Sequence, residues 1–119
     1  MNGAIHISWE ASIPGREAKG LEVFGKAVER FEGLAKQGRI HSHQAFFAVT
    51  GAEGGLMLIT GNLDELLKIL AEPETLALNA QAAAIVQEFA TQIFGGGTDQ
   101  AVQEVMTTHV ASLTELSYL

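Results

Sequence analysis

The residues of this 119-residue chain best suited to chemistry are its four histidines, one tryptophan and a few carboxylates. Two histidines stand two apart, in His41-Ser42-His43. In an extended segment, residues i and i+2 point the same way about 7 Å apart, so both imidazoles would share one face. His6, inside an alternating stretch near the N-terminus, is the natural third member. Three converging imidazoles suit zinc or another divalent ion. Without a metal, the same histidines suit a proton acceptor or a hydrogen-bond donor to a ligand. A bare His-x-His pair carries no third ligand at fixed spacing, so of the two functional roles the pocket comes first and His6, His41 and His43 as metal ligands second, both ranking below a plain structural one. That plain role is a set of polar side chains at a sheet rim or subunit seam.

Other candidates depend on where the chain puts them. Trp9 would stack on an aromatic ligand or fill a core. Glu88 becomes an internal base if its segment is a strand, and a solvated carboxylate if it is a helix. Arg16, near a helix start, is a candidate for holding a ligand carboxylate. His109 sits on an apolar helical stripe and reads as packing. Gly51–Gly55 and Gly95–Gly97 match no phosphate-loop spacing, so no nucleotide or other cofactor is expected.

The elements that must position these residues are legible in hydrophobic period. Ala4–Trp9 alternates and reads as a strand. Pro14 is placed to open a helix whose stripe is Ala18, Leu21, Phe24, Val28, Phe31 and Ala35, with Glu22/Lys26 and Glu32/Lys36 as i,i+4 pairs. Ile40–Asn62 reads as a β-hairpin joined at Gly51–Gly55. Asn62 with Glu65 three residues on predicts a capping box, followed by Leu63, Leu66, Leu67 and Leu70. Pro73 ends that helix and starts a short turn through Leu76 and Ala80. Ala82–Phe94 is expected to be a strand, and Thr98-Asp99 caps a last helix with a stripe of Val102, Val105, Met106, His109, Leu113 and Leu116.

The hairpin matters most, because it is apolar on both sides. Phe46 and Phe47 point to opposite faces, and Leu56-Met57-Leu58-Ile59 is apolar on both. An antiparallel strand with one wet face alternates, so both faces must be covered. The order βαββαβ is the split-βαβ, ferredoxin-like arrangement, in which two helices cover one face of a four-stranded antiparallel sheet. Residues 1–97 form that core and 98–119 an added C-terminal helix, in a single domain. A second copy is the expected cover for the other face, since a bare face would exceed the apolar patch a monomer tolerates.

Composition narrows the function classes. There is no cysteine, so disulfides and thiolate chemistry are excluded. The net charge is −7, and residues 40–119 hold Lys68 as their one basic residue against nine acids. Such a surface repels phosphate backbones and anionic lipid, so neither nucleic acid nor membrane is an expected partner. No signal peptide or membrane-spanning apolar run is visible, and a cytoplasmic protein is expected.

The strand AIHISWE, the helix launched by PGREAKGLEVFGKA, the turn GRIHSH and the passage GGLMLITGNLDELLKIL together resemble the dimeric α/β-barrel superfamily. The chain is similar, in particular, to small uncharacterised bacterial members. The resemblance implies a homodimer with a barrel pocket for a small apolar or aromatic molecule, bound or transformed by cofactor-free oxygenation or isomerisation. It transfers no catalytic motif, because members of the superfamily use different residues at different places. The alternatives are a non-enzymatic dimeric interaction module and, behind it, a divalent-metal protein. In the barrel reading the pocket is lined by His6, Trp9, His41, His43 and Glu88.

Overall fold

The computed structural model describes residues 1–51 and 53–119. Its elements are β1 (Asn2–Trp9), α1 (Glu17–Lys36), β2 (Ser42–Phe47), β3 (Gly55–Asn62), α2 (Leu63–Ala71), α3 (Pro73–Ala83), β4 (Ala90–Gly95) and α4 (Asp99–Glu115). The four strands form one sheet in the order β2-β3-β1-β4, each neighbouring pair antiparallel. This is the α+β, ferredoxin-like arrangement that the order of elements implies.

Alternation in β1 divides the sheet into two faces. Ile5 and Ile7 are buried beneath the helices beside Met57 and Ile59 of β3. Phe31 and Leu34 of α1 and Leu66 and Ile69 of α2 close that core from above. Every one of these side chains is apolar, so the core forms by desolvation alone. Asn62 caps α2: its Oδ1 accepts from Asp64 N at 3.0 Å and Glu65 N at 3.3 Å. The predicted capping box is only half made, because the Glu65 carboxylate turns away and accepts from Arg39 Nε at 2.6 Å. Arg39 Nη1 also reaches Glu72, at 3.1 Å. Glu65 first and Glu72 second hold the Arg39 guanidinium proton more firmly than usual.

The opposite face carries Ala4, His6 and Ser8 of β1, Leu56, Leu58 and Thr60 of β3, Ser42, Gln44 and Phe46 of β2, and Ala90, Gln92 and Phe94 of β4, as pairing register dictates. None of the twelve is Asp, Glu, Lys or Arg. Phe46 is 50% exposed and Phe94 49%. Among the described residues no helix covers them. The C-terminal helix meets the sheet at the end of β4, where Val105 Cγ2 lies beside Gly95, and then leaves it. Ala101 is its one buried residue, and its stripe stays open, with Met106 52% exposed. The molecule is accordingly elongated, 52 Å along its longest axis.

Two expected elements and one expected ion pair differ. The first helix begins at Glu17 rather than Pro14, because Gly15 takes a left-handed φ of +87° and makes Pro14-Gly15 a turn. The expected strand Ala82–Phe94 is split. Ala82 and Ala83 finish α3, and residues 85–87 pair with the extension of β1, through Glu10 N to Gln87 O and Ile13 N to Ile85 O, both 2.8 Å. Glu88 then turns the chain with φ +53°, and β4 starts only at Ala90. Of the predicted i,i+4 pairs, Glu22–Lys26 is present at 3.8 Å, whereas Glu32 pairs with His43 instead of Lys36.

One buried polar atom has no partner among the described residues: Thr91 Oγ1, on the helix side of β4 opposite Ile7. A buried hydroxyl without a hydrogen bond costs folding free energy that an isosteric methyl does not. Thr91→Val is therefore expected to raise the unfolding free energy by about 1 kcal/mol, seen as a Tm several degrees higher. A lower Tm would contradict this.

Candidate functional site

The described residues enclose a cavity of about 290 Å³ between the helix side of the sheet, α1 and α3. Ile7, Trp9, Met57 and Phe47 form its floor, Phe24, Ala27 and Phe31 one wall, and Thr75, Leu78, Asn79 and Ala82 the other. Ile85, Val86 and Phe89 close one end. It opens past Glu17 and Leu21, both exposed; Leu21, predicted to lie on the packed stripe, is 76% exposed. The fully buried residues of α1, Phe31 and Leu34, lie in its second half, and the cavity lies mostly against its first.

Trp9 is the centre of an aromatic wall. Its ring centroid lies 6.2 Å from that of Phe24 and 6.0 Å from that of Phe47, and the two phenylalanines are 5.2 Å apart. The Phe24–Phe47 and Trp9–Phe47 pairs meet edge to face, a preferred aromatic geometry. The indole extends over Gly55, its cross-strand partner, where a Cβ would stand 2.9 Å from Trp9 Cζ2. A side chain at position 55 would displace the wall.

Polar groups are few in this cavity: Ser12, Glu17, Thr75 and Asn79. Glu17 is the single ionisable side chain in the lining, with Oε1 accepting from Gly15 N at 3.3 Å. Arg16 is not turned to a ligand; its Nη1 donates to the carbonyl of Ala84, tying the start of α1 to the end of α3.

The histidines do not converge. His43 faces the helices, and its Nε2 lies 2.8 Å from Glu32 Oε2 of α1. His41 precedes β2, so the i,i+2 rule does not hold across the pair. It lines a hollow of about 330 Å³ on the opposite face, with Ala4, Leu58, Thr60 and Phe94. His6 lies on that same face, its ring edge-on to Phe94 at 6.2 Å. His6, His41 and His43 therefore share no site, and among the described residues no group of three His, Asp or Glu could hold a metal ion. Glu88 is exposed on its turn, outside β4, and does not enter the cavity. Of the five pocket candidates, Trp9 alone borders the cavity. Phe24, Phe47 and Thr75 escaped the sequence reading: the first two fit packing stripes equally well, and nothing local marks Thr75.

No protein-family model matches the sequence, and no curated protein does. Solved structures do match. A variant of SnoaB, a cofactor-independent oxygenase from Streptomyces nogalater, superposes with a TM-score of 0.64 at 15% identity, over 82% of this chain and 94% of that one. A dimeric protein of unknown function and ferredoxin-like fold from Bacteroides fragilis gives 0.54 at 21% identity, over 76% and 93%. The hydroxynitrile lyase of Passiflora edulis gives 0.56 at 9% identity, over 81% and 95%. No helix among the described residues is long and apolar enough to cross a membrane. In fold, this chain is a ferredoxin-like α+β protein, extended by one C-terminal helix.

Proposed function

We propose that the chain forms a homodimer through the open face of its sheet, and that each subunit takes a small, largely apolar, aromatic molecule into the cavity beside Trp9. There it binds the molecule or transforms it without a cofactor, by oxygenation or isomerisation. The cavity itself carries this reading: about 290 Å³, within reach of the volume that small ligands occupy, and walled by Trp9, Phe24 and Phe47. The dimer is supported by an exposed sheet face without a charged side chain, on a protein with a net charge of −7. A dimeric neighbour of the same fold adds to that support. The same proposal takes the protein to be cytoplasmic.

The reaction is argued from the site rather than from the fold, because an oxygenase and a hydroxynitrile lyase share this architecture. Both cofactor-free oxygenation and isomerisation begin by taking a proton from the substrate. Glu17, at the mouth, is the group in the lining able to accept it. A titration followed by NMR tests the pocket, since the one indole N–H of the chain belongs to Trp9. Tetralin, an apolar bicyclic aromatic, is expected to shift that resonance saturably; no shift overturns the pocket. Oxygen uptake with 1-naphthol is expected to fall about a hundredfold or more in Glu17→Gln. Saturable binding without uptake or isomerisation of any aromatic probe would favour the interaction-module reading, to which the open stripe of Val102, Met106 and Val110 on α4 already lends weight.

A further inference from the structure

Among the described residues Thr75 is the one polar residue buried as a whole, 3% exposed, and it stands in the cavity wall. Its oxygen is fully engaged. Oγ1 accepts from Arg30 Nε at 3.1 Å and from Arg30 Nη2 at 2.8 Å, which uses both lone pairs of a hydroxyl. Arg30 is itself held, with Nη2 3.1 Å from Glu72 Oε1. What Thr75 has left is its hydrogen, and the fold offers that hydrogen no carbonyl of its own helix. Thr108, Ser112 and Thr114 on α4 each donate to the carbonyl four residues back. Thr75 is the third residue of α3, so the residue four back is Ala71, the last of α2. Between them Glu72 is extended, with ψ 142°. Among the described residues no hydrogen bond from the Thr75 hydroxyl is formed.

We infer that Thr75 anchors the ligand: its hydroxyl, polarised by the Arg30 guanidinium, donates to an oxygen acceptor on the molecule in the cavity. A donor whose own oxygen accepts from a cation is strengthened as a donor. Asn79 lies one turn further along the same wall and adds a second polar group beside it. The aromatic wall opposite takes the apolar body. Ligands of this cavity are thus aromatic molecules carrying a ketone, quinone or phenolate oxygen, and a hydrocarbon of the same shape is the poorer ligand because it leaves a buried donor unpaired. This deepens the proposed function and rests on the cavity being a ligand site.

The matched probes are 1-tetralone and tetralin, which differ by one carbonyl oxygen, titrated against the Trp9 indole resonance. The wild-type protein is expected to bind 1-tetralone about tenfold more tightly than tetralin. Thr75→Val should remove that preference and Thr75→Ser should keep it, with tetralin bound by Thr75→Val at least as tightly as by the wild type because no donor is left unpaired there. Equal affinity for the two probes in the wild type, or an undiminished preference in Thr75→Val, overturns the anchor and leaves the pocket standing. Failure of both probes to bind the wild type overturns the pocket and the anchor together. A measurement on the wild type keeps the inference open to refutation should Thr75→Val not fold. The tetralone proton flanking the carbonyl is expected to show an intermolecular NOE to the Thr75 methyl, and an NOE to the Trp9 ring in its place would reverse the assigned orientation.

Discussion

Leu58→Glu is expected to convert the protein from a two-chain to a one-chain particle in sedimentation velocity at micromolar concentration, with its fold intact by circular dichroism. Leu58 lies in β3 at the middle of the open face, paired with His6 on one side and Gln44 on the other. It is half-buried in the single chain, so a glutamate there still finds water and the subunit core beneath it, Met57 and Ile59, is untouched. In a two-fold pair of facing sheets, each subunit would bring a carboxylate into an uncharged seam with no Lys or Arg among its twelve residues to meet it. An unpaired charge buried in this way costs several kcal/mol, a weakening of a thousandfold or more. A wild-type protein that sediments as one chain would remove the dimer, and with it the account of why this face carries no charge.

The second large effect is expected inside the subunit. Ala27→Phe should abolish binding of tetralin and 1-tetralone, at least a hundredfold, while leaving Tm unchanged or raised. Ala27 projects from α1 into the cavity between Phe24 and Phe31. A larger side chain at a well-packed position forces strain. At the edge of a cavity of about 290 Å³ it instead gains dispersion contacts and occupies the ligand's space. Loss of binding together with a large fall in Tm would mean that the space is not available to a side chain of that size. Retained affinity would place the ligand elsewhere, the hollow beside His41 being the next site to probe. The two substitutions are independent, one on each side of the sheet, and either reading can fail while the other stands.

The network of Arg30, Arg39, Glu65 and Glu72 explains how a buried hydroxyl can sit in a largely apolar wall. Arg30 reaches Thr75 from α1, and Glu72, at the junction of α2 and α3, binds both arginines. The pairs are partly exposed, with side-chain exposures between 16% and 31%, so their worth as stabilising contacts is modest. Their consequence for the site is positional: they fix the start of α3, and with it Thr75 and Asn79, against α1.

What the sequence determined by itself was whatever depends on near neighbours along the chain. The alternation of β1, the Asn62 and Thr98 caps, the Pro73 start of α3 and the two-sided hairpin follow from period and local hydrogen bonding, and together they dictate the ferredoxin-like order of elements. Spacing misled where a strand began later along the chain than it was expected. His41 and His43 part because His41 precedes the ladder, and Glu88 lies outside the sheet because a left-handed turn splits its segment between two pairings. The site belongs wholly to tertiary structure. Arg30 and Thr75 are 45 residues apart, and Trp9, Phe24 and Phe47 become one wall only when α1 lies across the sheet. The physical reason is that burial and hydrophobic period specify which side of an element faces inward, whereas a cavity is the space left where two such faces fail to close, and no single segment encodes that gap.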